Sequence, residues 1–276
     1  MKTVIVLSAS SDIGGEMASR FLDAGYRVLG TVRQPNALTR KLKKRGAILI
    51  PVDLTDEHGI EVFTSYLSEN NVTWSTFVSA PATLLPIGLF FETDIDEWEQ
   101  SVMLNSTAQL RFLHSIYPYR DQSTELNVVF FAGGGTNGGF DRYSAYCLGK
   151  ILLIKACELI HCEYPMIKTT IIGPGWVRTK GHLETLSAGQ SAGTNLARTI
   201  EFLNSDQAGT DYNRIFKCVM WCVESEAKAV GGRNISLVHD HWDSHDGGRD
   251  LLSALSENED LFRLRRLQDH PFRTGA

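Results

Sequence analysis

Tyr146 and Lys150 are the two residues whose types and spacing most clearly indicate chemistry in this chain. Residues four positions apart lie on one face of an α-helix, about one turn from each other. A lysine cation beside a phenol favours the phenolate, so we expect Lys150 to lower the tyrosine pKa towards neutrality. A phenol tuned in this way can exchange a proton with a substrate oxygen. The pair therefore predicts general acid–base catalysis.

The segments around this pair alternate between strand length and helix length. Strands are predicted over 3–7, 27–32, 47–52, 76–80, 127–132, 169–172 and 234–238, and helices over 14–24, 37–45 and 57–69. Such alternation is typical of an α/β fold with right-handed crossovers, here a doubly wound, mainly parallel, seven-stranded sheet with helices on both faces. We expect a single domain over residues 1–276, with a variable segment that covers the substrate at about 176–231 and a tail at about 239–276.

Small residues follow several of the predicted strands. In sheets of this kind, ligands bind beyond the carboxyl ends of the strands, where the strand order reverses. That rule selects Arg33, Asp53 and the stretches 8–14, 79–82, 133–139 and 173–179. The glycine and serine content of these stretches indicates that the backbone approaches a ligand closely.

Composition excludes several classes of protein. The chain has 276 residues, of which 43% are hydrophobic and 21% charged, which is ordinary for a globular protein. Its formal net charge of -5 argues against a nucleic-acid partner. The absence of an apolar run of about 18 residues argues against a membrane span. Five cysteines without metal-site spacing indicate reduced thiols, so we expect a cytoplasmic protein.

Several ordered motifs accompany the tyrosine and lysine: a strand-to-helix turn over 7–14, Asn105, and the stretch 173–179, which begins Gly-Pro-Gly. Together they resemble the short-chain dehydrogenase/reductase family over about residues 1–240. The resemblance implies a Rossmann sheet and an oxidoreductase that transfers hydride between a nicotinamide cofactor and a carbonyl or secondary alcohol. It implies that Tyr146 is the acid or base, that Lys150 also binds the nicotinamide ribose, and that Asn105 holds a proton-relay water at a helix bend.

The resemblance also implies a set of cofactor-binding residues. They are Ser8, Ser10, Ser11, Ile13, Gly14, Arg33, Asp53, Leu54, Ala80, Lys150, Pro174, Gly175, Val177 and Thr179. The family's first turn reads T-G-x-x-x-G-x-G, of which only Gly14 is kept. Asp12 would repel a diphosphate unless its side chain caps the helix and turns away. Arg33 is placed for a 2′-phosphate and no acid stands at Thr31 or Val32, which favours NADP(H) over NAD(H).

One family residue is missing. A serine about 13 positions before the tyrosine should donate to the substrate carbonyl, but this chain has Gly133 there, with Ala132 before it. Thr136, Ser144 or a backbone N–H group of the glycine run can take its place, and we assign Gly133 and Thr136 to the substrate site. The alternative is a non-catalytic nucleotide-binding or regulatory protein with the same fold.

The remaining features have ordinary explanations. The histidine-rich stretch 239–246 is predicted to be a loop at the mouth of the substrate cleft, with no metal bound. The basic stretch 261–267 is predicted to be a docked C-terminal helix. This tail resembles family members from bacterial surface-glycan clusters, which suggests a keto-sugar or nucleotide sugar as substrate. The stretches 106–117 and 144–163 resemble the helices through which family members form homodimers and homotetramers.

Overall fold

A seven-stranded sheet forms the centre of the protein in a computed structural model that describes residues 1–136, 138–205 and 209–265. The strands are β1 Thr3–Leu7, β2 Arg27–Val32, β3 Ile48–Pro51, β4 Thr76–Ser79, β5 Leu126–Phe131, β6 Ile167–Gly173 and β7 Arg233–Ser236. Their order is β3-β2-β1-β4-β5-β6-β7, and every neighbouring pair is parallel. The predicted α/β fold is confirmed.

Helices cover both faces of this sheet. Within the described residues they are α1 Asp12–Asp23, α2 Ala37–Lys44, α3 Glu57–Glu69, α4 Ile95–Asn105, α5 Thr107–Ile116, α6 Ser144–Glu163, α7 Gly181–Ala188, α8 Thr194–Asn204, α9 Tyr212–Glu224, α10 Ala227–Val230 and α11 Arg249–Glu257. Helices α1, α2 and α9 pack on one face, and α3, α5 and α6 pack on the other.

The alternation of side chains along β1 divides the core into two parts. Val4 and Val6 belong to the cluster under α1 and α9, whereas Ile5 and Leu7 belong to the cluster under α3, α5 and α6. Successive residues of a strand point to opposite faces of the sheet, so a strand covered on both faces reads as a continuous apolar run. The sequence of β1 has this form, and its five residues are all buried.

The strand order reverses between β1 and β4, which are adjacent in the sheet although β2 and β3 come between them in the chain. A crevice opens at the carboxyl ends of two such strands because their connections run to opposite sides. The turn from β1 into α1 and the loop after β4 therefore border the same crevice.

A break between α4 and α5 shapes one side of this crevice. Ser106 leaves helical geometry, with φ -145° and ψ -85°, directly after Asn105. On α6, Gly149 allows α4 to approach, because a Cβ atom at Gly149 would lie 2.6 Å from the Cβ atom of Asn105. The helix bend that the family resemblance implied at Asn105 is present.

The C-terminal region differs from the prediction. The last described helix is α11, and residues 261–265 form turns and bends instead of the predicted helix; residues 266 and 267 lie outside the described part. The guanidinium of Arg233 is buried and donates to the carbonyl oxygens of Leu255, Asn258 and Glu259. These bonds hold the chain in an irregular path past the end of α11. Among the described helices, none has the length and apolar character needed to cross a bilayer.

Candidate active site

Tyr146 and Lys150 lie in the first two turns of α6, as their spacing predicted. The Lys150 ammonium nitrogen is 5.9 Å from the centroid of the Tyr146 ring. Lys150 is only 2% exposed, and its described hydrogen bond goes to the carbonyl oxygen of Pro81, in the loop after β4, at 3.4 Å. A buried ammonium with three donors and one long hydrogen bond can still bind oxygen ligands.

The expectation that Lys150 lowers the pKa of Tyr146 is wrong for this structure. Burial raises the pKa of Tyr146 well above its usual value, and the negative charge of Glu184 adds to this rise. Burial also lowers the pKa of Lys150 to about 8. Both changes have one cause, since desolvation disfavours the charged form of either group. The charge of Lys150 is not among the causes that shift the pKa of Tyr146.

Asn105 is fully buried at the end of α4 and holds the loop after β4 in place. Its side-chain oxygen accepts a hydrogen bond from the Thr83 N–H at 3.2 Å, and its side-chain nitrogen donates to the Thr83 carbonyl oxygen at 2.9 Å and to the Ser101 carbonyl oxygen at 3.0 Å. In this structure, therefore, the amide of Asn105 is occupied by backbone groups.

The position of the missing serine is filled by the tyrosine itself. A Cβ atom at Gly133 would lie 2.1 Å from the hydroxyl oxygen of Tyr146, so no side chain fits there without displacing the ring. Two of the candidate replacements are engaged elsewhere. The Thr136 hydroxyl donates to the Gly133 carbonyl oxygen at 3.3 Å, and the Ser144 hydroxyl accepts from the Trp98 indole N–H at 2.9 Å.

The turn from β1 into α1 keeps the backbone path of a glycine-rich turn with fewer glycines. Ser8 adopts a left-handed conformation, φ 64°, which glycine adopts more easily. The Ser11 hydroxyl donates to the Ser8 carbonyl oxygen at 2.8 Å and accepts from the Gly14 N–H at 3.1 Å. Gly14 is required, because a Cβ atom there would lie 2.2 Å from the Ser8 carbonyl oxygen. Ser10 and Ile13 flank these contacts and are partly buried.

Asp12 does not cap α1, the alternative that its place in the sequence left open, because Ser11 is the N-cap. The Asp12 carboxylate instead accepts a hydrogen bond from the backbone N–H of Lys180 at 2.6 Å. This contact joins the first turn to the segment after β6, which is 168 residues away in the chain.

The predicted adenosine-side residues lie at the same edge of the sheet. Arg33 is exposed directly after β2, and Asp53 and Leu54 follow β3. Hydrogen bonds from Thr55 lower the pKa of Asp53, and the charge of Arg33 contributes. The carbonyl oxygen of Ala80 accepts a long hydrogen bond from the Ser11 hydroxyl, 3.4 Å, which ties the loop after β4 to the first turn.

The segment after β6 forms the other wall of the crevice. Pro174 and Val177 are buried, Gly175 has φ 73°, and the carbonyl oxygen of Thr179 accepts from the His182 N–H at 3.3 Å. Trp176 stacks on the His182 ring, with centroids 5.7 Å apart. This segment leads directly into α7.

Helix α7 covers the site and carries residues that the sequence reading missed. The Glu184 carboxylate accepts from the Leu84 N–H at 2.6 Å and from the Thr83 hydroxyl at 3.3 Å. The hydroxyl groups of Thr185 and Tyr143 are 3.0 Å apart. An acid on the predicted covering segment was a weak signal for this role, because its partners are about 100 residues away.

The stretch 239–246 forms turns after β7. The Asp240 carboxylate accepts from the Ser236 N–H at 2.6 Å, and the Trp242 indole donates to the Leu237 carbonyl oxygen at 3.2 Å. The part of the chain that the structure describes holds no group of three or more His, Cys, Asp or Glu side chains that could bind a metal ion. The absence of a metal stays a prediction.

The residues fit a nicotinamide dinucleotide along most of the crevice. Among the described contacts, the buried ammonium of Lys150 has one long hydrogen bond, so its other N–H donors can bind ribose hydroxyl groups. The turn at Ser8 and Gly14 has the tight path that a diphosphate needs. The exception is the carboxylate of Asp12, which carries the same sign of charge as a diphosphate.

Comparison with known proteins agrees with this geometry. The family model for short chain dehydrogenases matches residues 2–188. The chain belongs to this family. Its members are oxidoreductases that act on CH–OH and C=O groups of small molecules with NAD(H) or NADP(H), and this chain is such an oxidoreductase.

Individual family members are only distantly similar to this one. Serine 3-dehydrogenase from Agrobacterium fabrum is 23% identical over 246 residues, which cover 86% of this chain and 93% of that protein. A short-chain dehydrogenase/reductase from Saccharomyces cerevisiae has a TM-score of 0.78 at 19% identity and covers 87% of this chain and 98% of its own. A variant of actinorhodin polyketide ketoreductase with NADPH has a TM-score of 0.71 at 19% identity, covering 85% and 95%. At these identities the structural likeness shows the fold.

Proposed function

We propose that this short-chain dehydrogenase is an NADP(H)-dependent enzyme that interconverts a carbonyl group and a secondary alcohol. The cofactor supplies or accepts the hydride when it is bound. Tyr146 gives or takes the proton at its hydroxyl oxygen, and Lys150 binds the nicotinamide ribose. Asn105 positions the loop after β4 and supports the proton relay.

The observation that carries this proposal is the convergence of the three residues at one crevice. Gly149 brings Asn105 against α6, and Lys150 reaches the carbonyl oxygen of Pro81 in the loop that Asn105 holds. A fully buried lysine costs free energy unless a ligand or partner makes use of it. Because its pKa is raised, the Tyr146 phenol is protonated at neutral pH, so it starts as the proton donor in the reducing direction.

The preference for NADP(H) rests on Arg33. Its guanidinium stands at the carboxyl end of β2, where the family holds the adenosine ribose, and no acid precedes it at Thr31 or Val32. Guanidinium groups bind phosphate in bidentate geometry, through two parallel hydrogen bonds. In a fluorescence titration NADPH should bind more tightly than NADH, and Arg33→Ala should remove most of the difference. Equal affinities in the unchanged protein would rule out this preference.

Tyr146→Phe tests the catalytic role. The variant should lose turnover of a panel of ketones and keto-sugars while its affinity for NADPH stays within about twofold, because phenylalanine keeps the ring but cannot transfer a proton. Tyr164→Phe, at the exposed end of the same helix, is the matched control and should keep its turnover. Undiminished turnover in Tyr146→Phe would exclude the proposed acid–base role.

A second candidate function is binding of a dinucleotide without catalysis. Two observations favour it: the overlap that excludes a side chain at Gly133, and the engagement of Thr136 and Ser144 with other groups. Loss of one oriented donor costs about 2.7–4 kcal/mol of transition-state stabilisation. NADPH that binds tightly but is never consumed across the panel would favour this candidate.

We propose one Rossmann-type domain over residues 1–276, with a substrate-covering segment at about 176–231 and a tail at about 239–276. A keto-sugar or nucleotide sugar is the proposed substrate class, the cytoplasm the proposed compartment, and a homodimer or homotetramer the proposed assembly. No nucleic-acid or membrane partner is proposed.

A further inference from the structure

We propose that the Asp12 carboxylate is an internal latch that closes the cofactor crevice and must release Lys180 before a dinucleotide can bind. Its carboxylate stands in the first turn of α1 and accepts the Lys180 N–H at 2.6 Å. The two residues belong to opposite walls of the crevice, namely the turn after β1 and the segment after β6. The inference rests on the proposed function.

Charge makes the latch and the diphosphate mutually exclusive. The first turn of a helix favours a negative group, and here Asp12 supplies it. A dinucleotide would bring further negative charge to the same turn, beside a carboxylate that has no cationic partner among its described contacts. The Lys180 N–H is also a donor that can serve only one strong acceptor at a time. Asp12 therefore competes with the cofactor both by charge and for a hydrogen-bond donor.

The contact between Asp12 and Lys180 restrains the start of α7, because Lys180 is the residue directly before that helix. From α7, Glu184 accepts the Leu84 N–H and Thr185 contacts the Tyr143 hydroxyl. Helix α7 is thus held to the first turn at its start, to the loop after β4 in its middle, and to the start of α6. Release of Lys180 frees the N-terminal end of α7, which follows the segment after β6. Asp12 couples the entry of the cofactor to the movement of the helix that covers Tyr146.

Amide hydrogen exchange and nucleotide titration test the latch together. Asp12→Gly removes the acceptor, and Asp12→Asn keeps an acceptor but removes the charge, which guards against failure of the glycine variant to fold. Glu16→Gln is the matched control, because it removes one charge a turn further along α1, where the side chain pairs with Arg20. Without nucleotide, exchange of the Lys180 amide and of α7 should be at least tenfold faster in Asp12→Gly and unchanged in Glu16→Gln. NADPH should bind at least tenfold more tightly to Asp12→Gly, and Asp12→Asn should lie between.

The outcomes separate this inference from the proposed function. Unchanged exchange in Asp12→Gly overturns the latch, whether or not nucleotide binds. Faster exchange without tighter binding also overturns it, since Asp12 would then only stabilise the loop. If neither protein binds any nicotinamide dinucleotide, the proposed function fails, and inorganic diphosphate decides the latch. Renewed protection of the Lys180 amide by diphosphate in Asp12→Gly but not in the unchanged protein supports the latch, and no protection overturns it.

Discussion

At the residue scale, the contact between Gly133 and the Tyr146 hydroxyl decides what an added serine would do. A side chain at residue 133 needs space that the tyrosine ring fills, at a separation of 2.1 Å. Restoring the family's serine therefore cannot restore a donor while the ring stays in place. The role of that serine has to be met by backbone groups of the glycine run, or it is not met.

We predict that Gly133→Ser lowers turnover at least tenfold and lowers the free energy of unfolding by about 1–3 kcal/mol, because it overpacks the site. Steady-state kinetics and chemical denaturation measure the two effects. Gly138→Ala is the control, since a Cβ atom there meets nothing within 4 Å. Higher turnover in Gly133→Ser would mean that the tyrosine ring moves aside and that the donor position is vacant.

The buried lysine gives a prediction about pH. Burial lowers the pKa of Lys150 from 10.5 to about 8, so the folded protein is penalised for holding the charged form. The penalty is fully present below pH 8 and disappears as the pH rises from about 8 to about 10.5, where the unfolded chain still binds the proton and the folded protein does not. Its size is about 3 kcal/mol.

Lys150→Met should therefore unfold at higher denaturant concentration than the unchanged protein at pH 7, with a difference of up to about 3 kcal/mol that shrinks as the pH approaches 10. Denaturation curves across this pH range measure the difference, and other titrating groups cancel between the two proteins. A difference that does not change with pH would mean that Lys150 keeps its proton in the folded protein throughout the range, so that its pKa is not lowered.

At the scale of elements, the approach of α4 to α6 sets the position of Asn105. Gly149→Ala places a methyl group 2.6 Å from the Cβ atom of Asn105, on a packed helix pair where neither side is flexible. We expect a loss of about 1–3 kcal/mol in the free energy of unfolding and a lower turnover, because Asn105 carries the loop after β4.

Gln100→Ala, a change at an exposed residue of α4, is the control for this prediction. It should leave turnover unchanged. If Gly149→Ala retains full stability, the two helices are not packed as closely as this structure has them.

Local patterns predicted most elements because their causes are local. Strands β1 and β2 and helix α3 have the predicted bounds, since continuous apolar runs and capping residues define them. Over the described residues 261–265 the predicted helix is absent, because Arg233 holds residues 255–259 through hydrogen bonds between residues about 25 positions apart in the chain. Nothing near a basic amphipathic stretch reveals such a distant partner.

In the candidate site, too, the features with local causes were predictable and those that depend on distant partners were not. The spacing of Tyr146 and Lys150 follows from helix geometry and was predictable, but their burial was not, and burial reverses the expected change in the tyrosine pKa. The loss of glycine at Ser8 suggested a changed turn, yet Ser8 adopts the left-handed conformation and keeps the path. The partner of Asp12 was not predictable, because Lys180 meets it only through the fold.

At the scale of the whole molecule, the outer face of α6 carries apolar side chains that the sheet does not cover. Leu148 is 47% exposed and Leu159 is 51% exposed, and Leu152 lies between them at helical spacing and is partly buried. The face of α6 that packs inwards uses other residues, among them Leu153 and Cys157. An apolar stripe on the far side of a helix is typical of a surface that a partner covers.

We predict that a second copy of the chain covers this stripe, so light scattering at micromolar concentration should give a mass of at least twice 30.7 kDa. Leu148→Glu combined with Leu159→Glu should reduce the mass to that of one chain. Each chain then carries two new carboxylates, so a symmetric interface between two copies would bury four, and each would lose its hydration. Val62→Glu, at an exposed apolar residue of α3, is the control and should leave the mass unchanged. A single-chain mass for the unchanged protein would exclude a stable assembly, whereas an unchanged mass in the double variant would move the interface to another surface.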